Sequence, residues 1–64
     1  MLLPHQERVV SERAELSDKL TKLATFLDGE IFHGLDYKEQ TRLFKQRVVM
    51  EWYLSILDER IAAF

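Results

Sequence analysis

Apolar residues in the first half of the chain recur at helical spacing. Val9, Leu16, Leu20, Leu23 and Leu27 are seven, four, three and four positions apart. That is one seam of an amphipathic helix, close to a heptad, and it predicts a helix over about 4–28. Arg13 fills the one seam position that is not apolar. Pro4 suits the first turn, where its missing N–H is no loss. Gly29 follows Asp28 and is expected to end the helix in the left-handed conformation. The segment 29–35 breaks the pattern and reads as a loop, with Ile31, Phe32 and Leu35 capping the open end by apolar contact. Asp36 and Glu39 have the spacing of a capping box, Asp36 as N-cap. From there a second helix runs to about residue 63, with no glycine or proline after Gly34. A connection this short makes the two helices antiparallel neighbours.

The second helix carries more apolar surface than a hairpin can hide. At about 100° per residue, Leu43, Met50, Leu54, Leu57, Ile61 and Phe64 form one stripe. It can pair with the first seam. Val48, Val49, Trp52 and Ile56 lie on roughly the opposite side. A two-helix hairpin has only one inside, so this second group needs another subunit or stays exposed.

Size points the same way. A chain of 64 residues is one small domain. Ordering it costs roughly 100 kcal/mol, at about 1.5 kcal/mol per residue. Small folds offset this with disulfides, a metal or self-association. There is no cysteine, and His5 and His33 have no recognised metal-ligand spacing. The expected fold class is therefore all-α: an antiparallel two-helix hairpin assembling into a homo-oligomeric helical bundle, one domain over 1–64.

Composition narrows the function classes. Hydrophobic residues make up 47% and charged residues 31%, which suits a globular or coiled-coil chain rather than a disordered one. Nine basic and eleven acidic residues give a net charge of −2, which argues against binding a nucleic-acid polymer by bulk charge. The first residues are too few and too polar for a signal peptide, and no apolar run is long enough to span a membrane. Cytoplasmic residence is the default expectation. Catalysis has little support: there is no Gly-rich phosphate loop and no Cys nucleophile, and Ser11, Ser17 and Ser55 have no histidine nearby in sequence. No enzyme activity and no cofactor are expected.

Two groups of polar residues are candidate binding positions. Arg42, Gln46, Tyr53 and Arg60 share one line of the second helix, between its two apolar groups. Either they satisfy one another at a subunit interface, or they line a ligand pocket there. Arginine can grip phosphate with paired hydrogen bonds and stack on a base, and tyrosine can stack. On the first helix, Arg8, Glu12, Glu15, Lys19 and Lys22 form a charged strip. It is either a solvated face with weak ion pairs, Glu15 with Lys19 among them, or the rim of an anion site using Arg8, Lys19 or Lys22. His5 lies one turn before the strip and could stack or donate.

Two runs of residues resemble a known family. The first is His5, Gln6, Arg8, Val9, Val10, Glu12, Leu16, Lys19, Lys22, Leu23 and Phe26. The second is Gln46, Met50, Tyr53, Leu57, Arg60, Ile61 and Phe64. Together they are similar to small phage and prophage helical-hairpin proteins, the sponges directed against the CBASS and Thoeris bacterial immune systems. The resemblance covers nearly the whole chain. It implies a homo-oligomer, often a hexamer, in the host bacterial cytoplasm. It implies binding of a cyclic oligonucleotide or cyclic ADP-ribose-type signal without cleavage, so that the immune effector stays off. It draws Arg42, Gln46, Tyr53 and Arg60 towards a ligand-binding role, with Arg8, Lys19, Lys22 and His5 at the rim. The competing readings are a small RNA-binding hairpin and a purely structural coiled coil. Basic and acidic residues are interleaved, so no basic face forms for RNA.

Overall fold

The computed structural model describes all of residues 1–64 and is entirely helical. Helix α1 spans Pro4–Leu27, the single-turn helix α2 spans Glu30–His33, and helix α3 spans Tyr37–Ala62. α1 and α3 pack side by side and antiparallel, giving a rod of 48 × 15 × 13 Å. Its radius of gyration is 14.7 Å, against about 10.7 Å for a compact domain of this length.

The helix ends show how the sequence sets these limits. At the start of α1, the Leu3 backbone N–H donates to Gln6 Oε1 at 2.8 Å, and Pro4 takes the first helical position. At the start of α3, Asp36 Oδ2 accepts from the Lys38 backbone N–H at 3.1 Å. The reciprocal half of the expected capping box is not made. Glu39 instead accepts from Arg42 Nε at 2.7 Å, a charge-assisted bond that outcompetes a neutral backbone donor.

The connection differs from the expected loop. Gly29 does not adopt the left-handed conformation: its φ is −93° and no residue has positive φ. It is the N-cap of α2. α1 closes instead through Asp28 and Gly29 N–H groups donating to Thr25 and Phe26 carbonyls. α2 is tied down by His33 Nδ1 against the Gly29 carbonyl at 2.8 Å and by Gln40 Nε2 donating to the Phe32 carbonyl at 2.9 Å. Of the three residues expected to cap the open end, Phe32 is buried, Leu35 is half-buried and Ile31 is exposed. Phe32 sits in an aromatic group, edge-on to Phe26 at 6.4 Å and to Phe44 at 5.4 Å. One helical turn cannot point three apolar side chains inward at once.

Between the long helices the seam is as the spacing predicts. Val9, Leu16 and Leu27 of α1 are buried, and Leu57 of α3 is fully enclosed. Met50, Leu54 and Ile61 pack against the cluster of Val9, Leu16 and Leu57. Phe64 departs from the stripe and is exposed, because α3 ends at Ala62. Arg13 reaches across to Asp58, Nε to Oδ1 at 2.8 Å. This bond, and the Asp58 charge beside it, raise the Arg13 pKa above its ordinary value.

The far side of α3 remains open. Val48, Val49 and Trp52 are 60%, 63% and 70% exposed, with Ile56 and Phe44 beside them. Only five of 64 residues are buried. A core that small is far from offsetting the ordering cost of the chain.

Candidate functional site

The register of the hairpin decides which candidate residues share an edge. Arg13 and Asp58 mark one edge of the packed pair and fix which residues lie level across it. At about 100° per residue, the charged strip of α1 and the polar line of α3 both fall on the opposite edge. The fold thus brings together two groups that are far apart in sequence. Lys19 lies within a residue of the level of Tyr53, and Glu12 within a residue of the level of Arg60. Arg8 lies just beyond Arg60, towards the chain ends, and Lys22 lies between the levels of Gln46 and Tyr53. His5 is exposed in the first turn of α1, beyond the end of α3.

The side chains on this edge fall into two kinds. Some already have partners. Arg42 holds Glu39, Lys22 Nζ holds Asp18 Oδ2 at 3.0 Å, and Gln46 Nε2 approaches the Met50 sulfur at 3.8 Å. The expected Glu15–Lys19 pair is not formed; the neighbouring Asp18–Lys22 pair, in the same orientation and spacing, forms instead. Arg8, Lys19 and Arg60 make no ion pair at all. Tyr53 is 40% exposed beside them. Glu12 and Glu15 stand among these cations, so the edge is mixed in charge rather than uniformly basic.

One chain does not gather the α3 line into a single pocket. Arg42 and Arg60 are eighteen residues apart, about 27 Å along the helix at 1.5 Å per residue. A small ligand cannot touch both on one protomer. The concave surfaces of the rod are shallow. One, about 530 Å³, lies along Pro4, Arg8, Ser11 and Glu15. The other, about 450 Å³, lies on the open face of α3 between Phe44, Lys45, Val48 and Val49.

Phe44, Lys45 and Glu59 belong to the outward side of α3 and stand in neither of the two groups read from the sequence. The signal for two of them was present: Lys45, Trp52 and Glu59 are spaced seven and seven, which keeps them on one face.

Comparison with known proteins places the chain in a family. The profile of the Sequestin family matches residues 3–63. An uncharacterized 7.5 kDa protein from the denB-rIIB intergenic region of Enterobacteria phage T4 is 35% identical over 63 residues, covering 98% of each chain. No solved structure matches the chain. No helix is long and apolar enough to cross a membrane. A match over almost every residue, with a phage relative of the same length, bears out the resemblance to phage anti-defence sequestering proteins: the chain belongs to the Sequestin family.

Proposed function

We propose that this protein is a phage or prophage sponge that binds a cyclic nucleotide immune signal and holds it without cleaving it. In the host bacterial cytoplasm it would deprive CBASS- or Thoeris-type effectors of their trigger. The ligand is a cyclic oligonucleotide or a cyclic ADP-ribose-type molecule, and the working form is a homo-oligomer, a hexamer by analogy with the family. The observation that carries this reading is the edge where Arg8, Lys19 and Arg60 stand without carboxylate partners beside a half-exposed Tyr53. Phosphates need donors not already committed elsewhere, and a base needs a flat surface on which to stack. Arg42, Gln46, Lys22 and His5 complete the proposed set, Arg42 and Lys22 by exchanging their present carboxylates for the ligand's phosphates.

The edge suits binding rather than turnover. It holds no nucleophile paired with a base, and sequestration requires only affinity and sufficient copies. Isothermal titration with a panel of cyclic di- and trinucleotides and cyclic ADP-ribose isomers tests the proposal. Saturable binding of at least one, with the ligand recovered chemically intact after denaturing the protein, is expected. Absence of binding to every member of the panel, or recovery of a hydrolysed ligand, contradicts it.

A further inference from the structure

We infer that the open face of α3 receives a second copy of this chain, packed antiparallel about a two-fold axis at Trp52, and that this pairing brings the partner's Arg42 beside Arg60.

The face is self-complementary in only one direction. Val48 and Ile56 lie about 40° to either side of Trp52 around the helix. Lys45 and Glu59 lie seven residues before and after it, each within about 20° of the same line. Neither Lys45 nor Glu59 is in an ion pair within the chain. A parallel copy would set lysine against lysine and glutamate against glutamate. An antiparallel copy sets Lys45 against the partner's Glu59 twice, with the apolar group between them and Trp52 on the axis.

The rod also leaves enough surface uncovered for a partner. The chain exposes 5052 Å², against about 4300 Å² for a compact monomer of its mass. The excess, about 750 Å², is close to what one partner contributes to an interface of standard size.

Antiparallel pairing has a consequence for the binding edge. Its two-fold axis lies in the interface, between the helices and perpendicular to both, so it maps each edge of the face onto the same edge of the partner. The two lines of Arg42, Tyr53 and Arg60 therefore border one common edge; a parallel pair would place them on opposite edges. Arg42 lies ten residues before Trp52 and Arg60 eight after it. The partner's Arg42 thus falls within two residues of the level of Arg60, about 3 Å along the axis. Two arginines 27 Å apart on one protomer become a close pair between protomers, twice per dimer, with the two Tyr53 rings near the centre. Each guanidinium presents paired donors to a phosphate, so the edge becomes a two-fold symmetric anion and ring site that neither copy forms alone.

What this edge binds rests on the proposed function; the pairing itself rests on the face. The chain has no cysteine, so cross-linking can be read cleanly. Lys45→Cys and Glu59→Cys proteins, mixed under oxidising conditions, are expected to form a mixed disulfide dimer, and neither alone is expected to form one. In the antiparallel pair two copies of position 45 are about 21 Å apart along the axis, far beyond the roughly 7 Å Cα limit of a disulfide. Cross-linking of Lys45→Cys with itself overturns the proposal, as does no cross-linking of the mixture when both variants retain helical circular dichroism. Lys45→Glu and Glu59→Lys are each expected to weaken association at least tenfold, and an equimolar mixture to restore it. Association of either single variant at wild-type strength overturns the proposal. Cross-linking without cyclic nucleotide binding supports the pairing and contradicts the sponge; nucleotide binding without cross-linking does the reverse.

Discussion

The two faces of α3 share one helix and one kind of side chain, yet they end in opposite conditions. On the inner face Leu57 is wholly enclosed, with Met50, Leu54 and Ile61 around it and the α1 seam opposite. On the outer face Trp52 is 70% exposed, with Val48 and Val49 beside it. The inner face has a partner because the short connection folds α1 back at the right register. The outer face has none, because α1 lies against the inner face and the single-turn α2 packs on α1. Apolar content therefore does not decide burial in a small hairpin; it decides how much surface must be covered, by this chain or another.

Substitutions on the two faces should separate these roles. The largest effect on folding is expected from Leu57→Ala, which leaves a cavity at the most enclosed position and should cost about 2–5 kcal/mol. Urea unfolding followed by circular dichroism, at fixed protein concentration, checks it; a loss under about 1 kcal/mol would mean the inner seam is not the core. Next, Trp52→Ala should weaken self-association by tenfold or more, with helical content falling as the copies separate, because the core of one hairpin does not sustain the fold. Sedimentation against concentration measures this, and unchanged association would remove the contrast between the faces. Third, Arg60→Ala should weaken cyclic nucleotide binding about tenfold or more, since charge-assisted hydrogen bonds contribute roughly 1.5–3 kcal/mol, with little change in melting temperature. Titration and a thermal scan together check it.

Smaller effects probe the ends. Asp36→Ala removes the N-cap of α3 and should cost about 1 kcal/mol. Gly29→Ala should change stability by no more than about 0.5 kcal/mol, because φ is negative there and an added Cβ would meet the Phe26 and Thr25 carbonyl oxygens at 3.4 and 3.9 Å, ordinary contact distances. A large loss on that substitution would restore the left-handed turn.

Much of the fold was legible because periodicity is a local signal. The buried positions Val9, Leu16, Leu27 and Leu57 all lie on stripes that the spacing alone picks out. That Arg13 broke the seam was also visible; that it answers Asp58 was not, because the partner is 45 residues away and depends on register. Glu15–Lys19 and Asp18–Lys22 have the same spacing and order, so sequence could not choose between them, and rotamer geometry does. The connection departs from the sequence expectation at Gly29, where the glycine serves as an ordinary N-cap because a further helical turn begins there. The candidate edge was half legible. Each polar line was visible on its own helix, but that both lie on one edge follows only from the antiparallel register. That one protomer spreads Arg42 and Arg60 too far apart for one ligand follows from length along the helix.

All of this depends on α3 having an outer face that another copy must cover. Sedimentation velocity of the purified protein at micromolar concentration tests it most directly. The expected result is a helical species at a whole-number multiple of 7.6 kDa, falling apart on Trp52→Ala. A folded, stable species of 7.6 kDa across the micromolar range would contradict it.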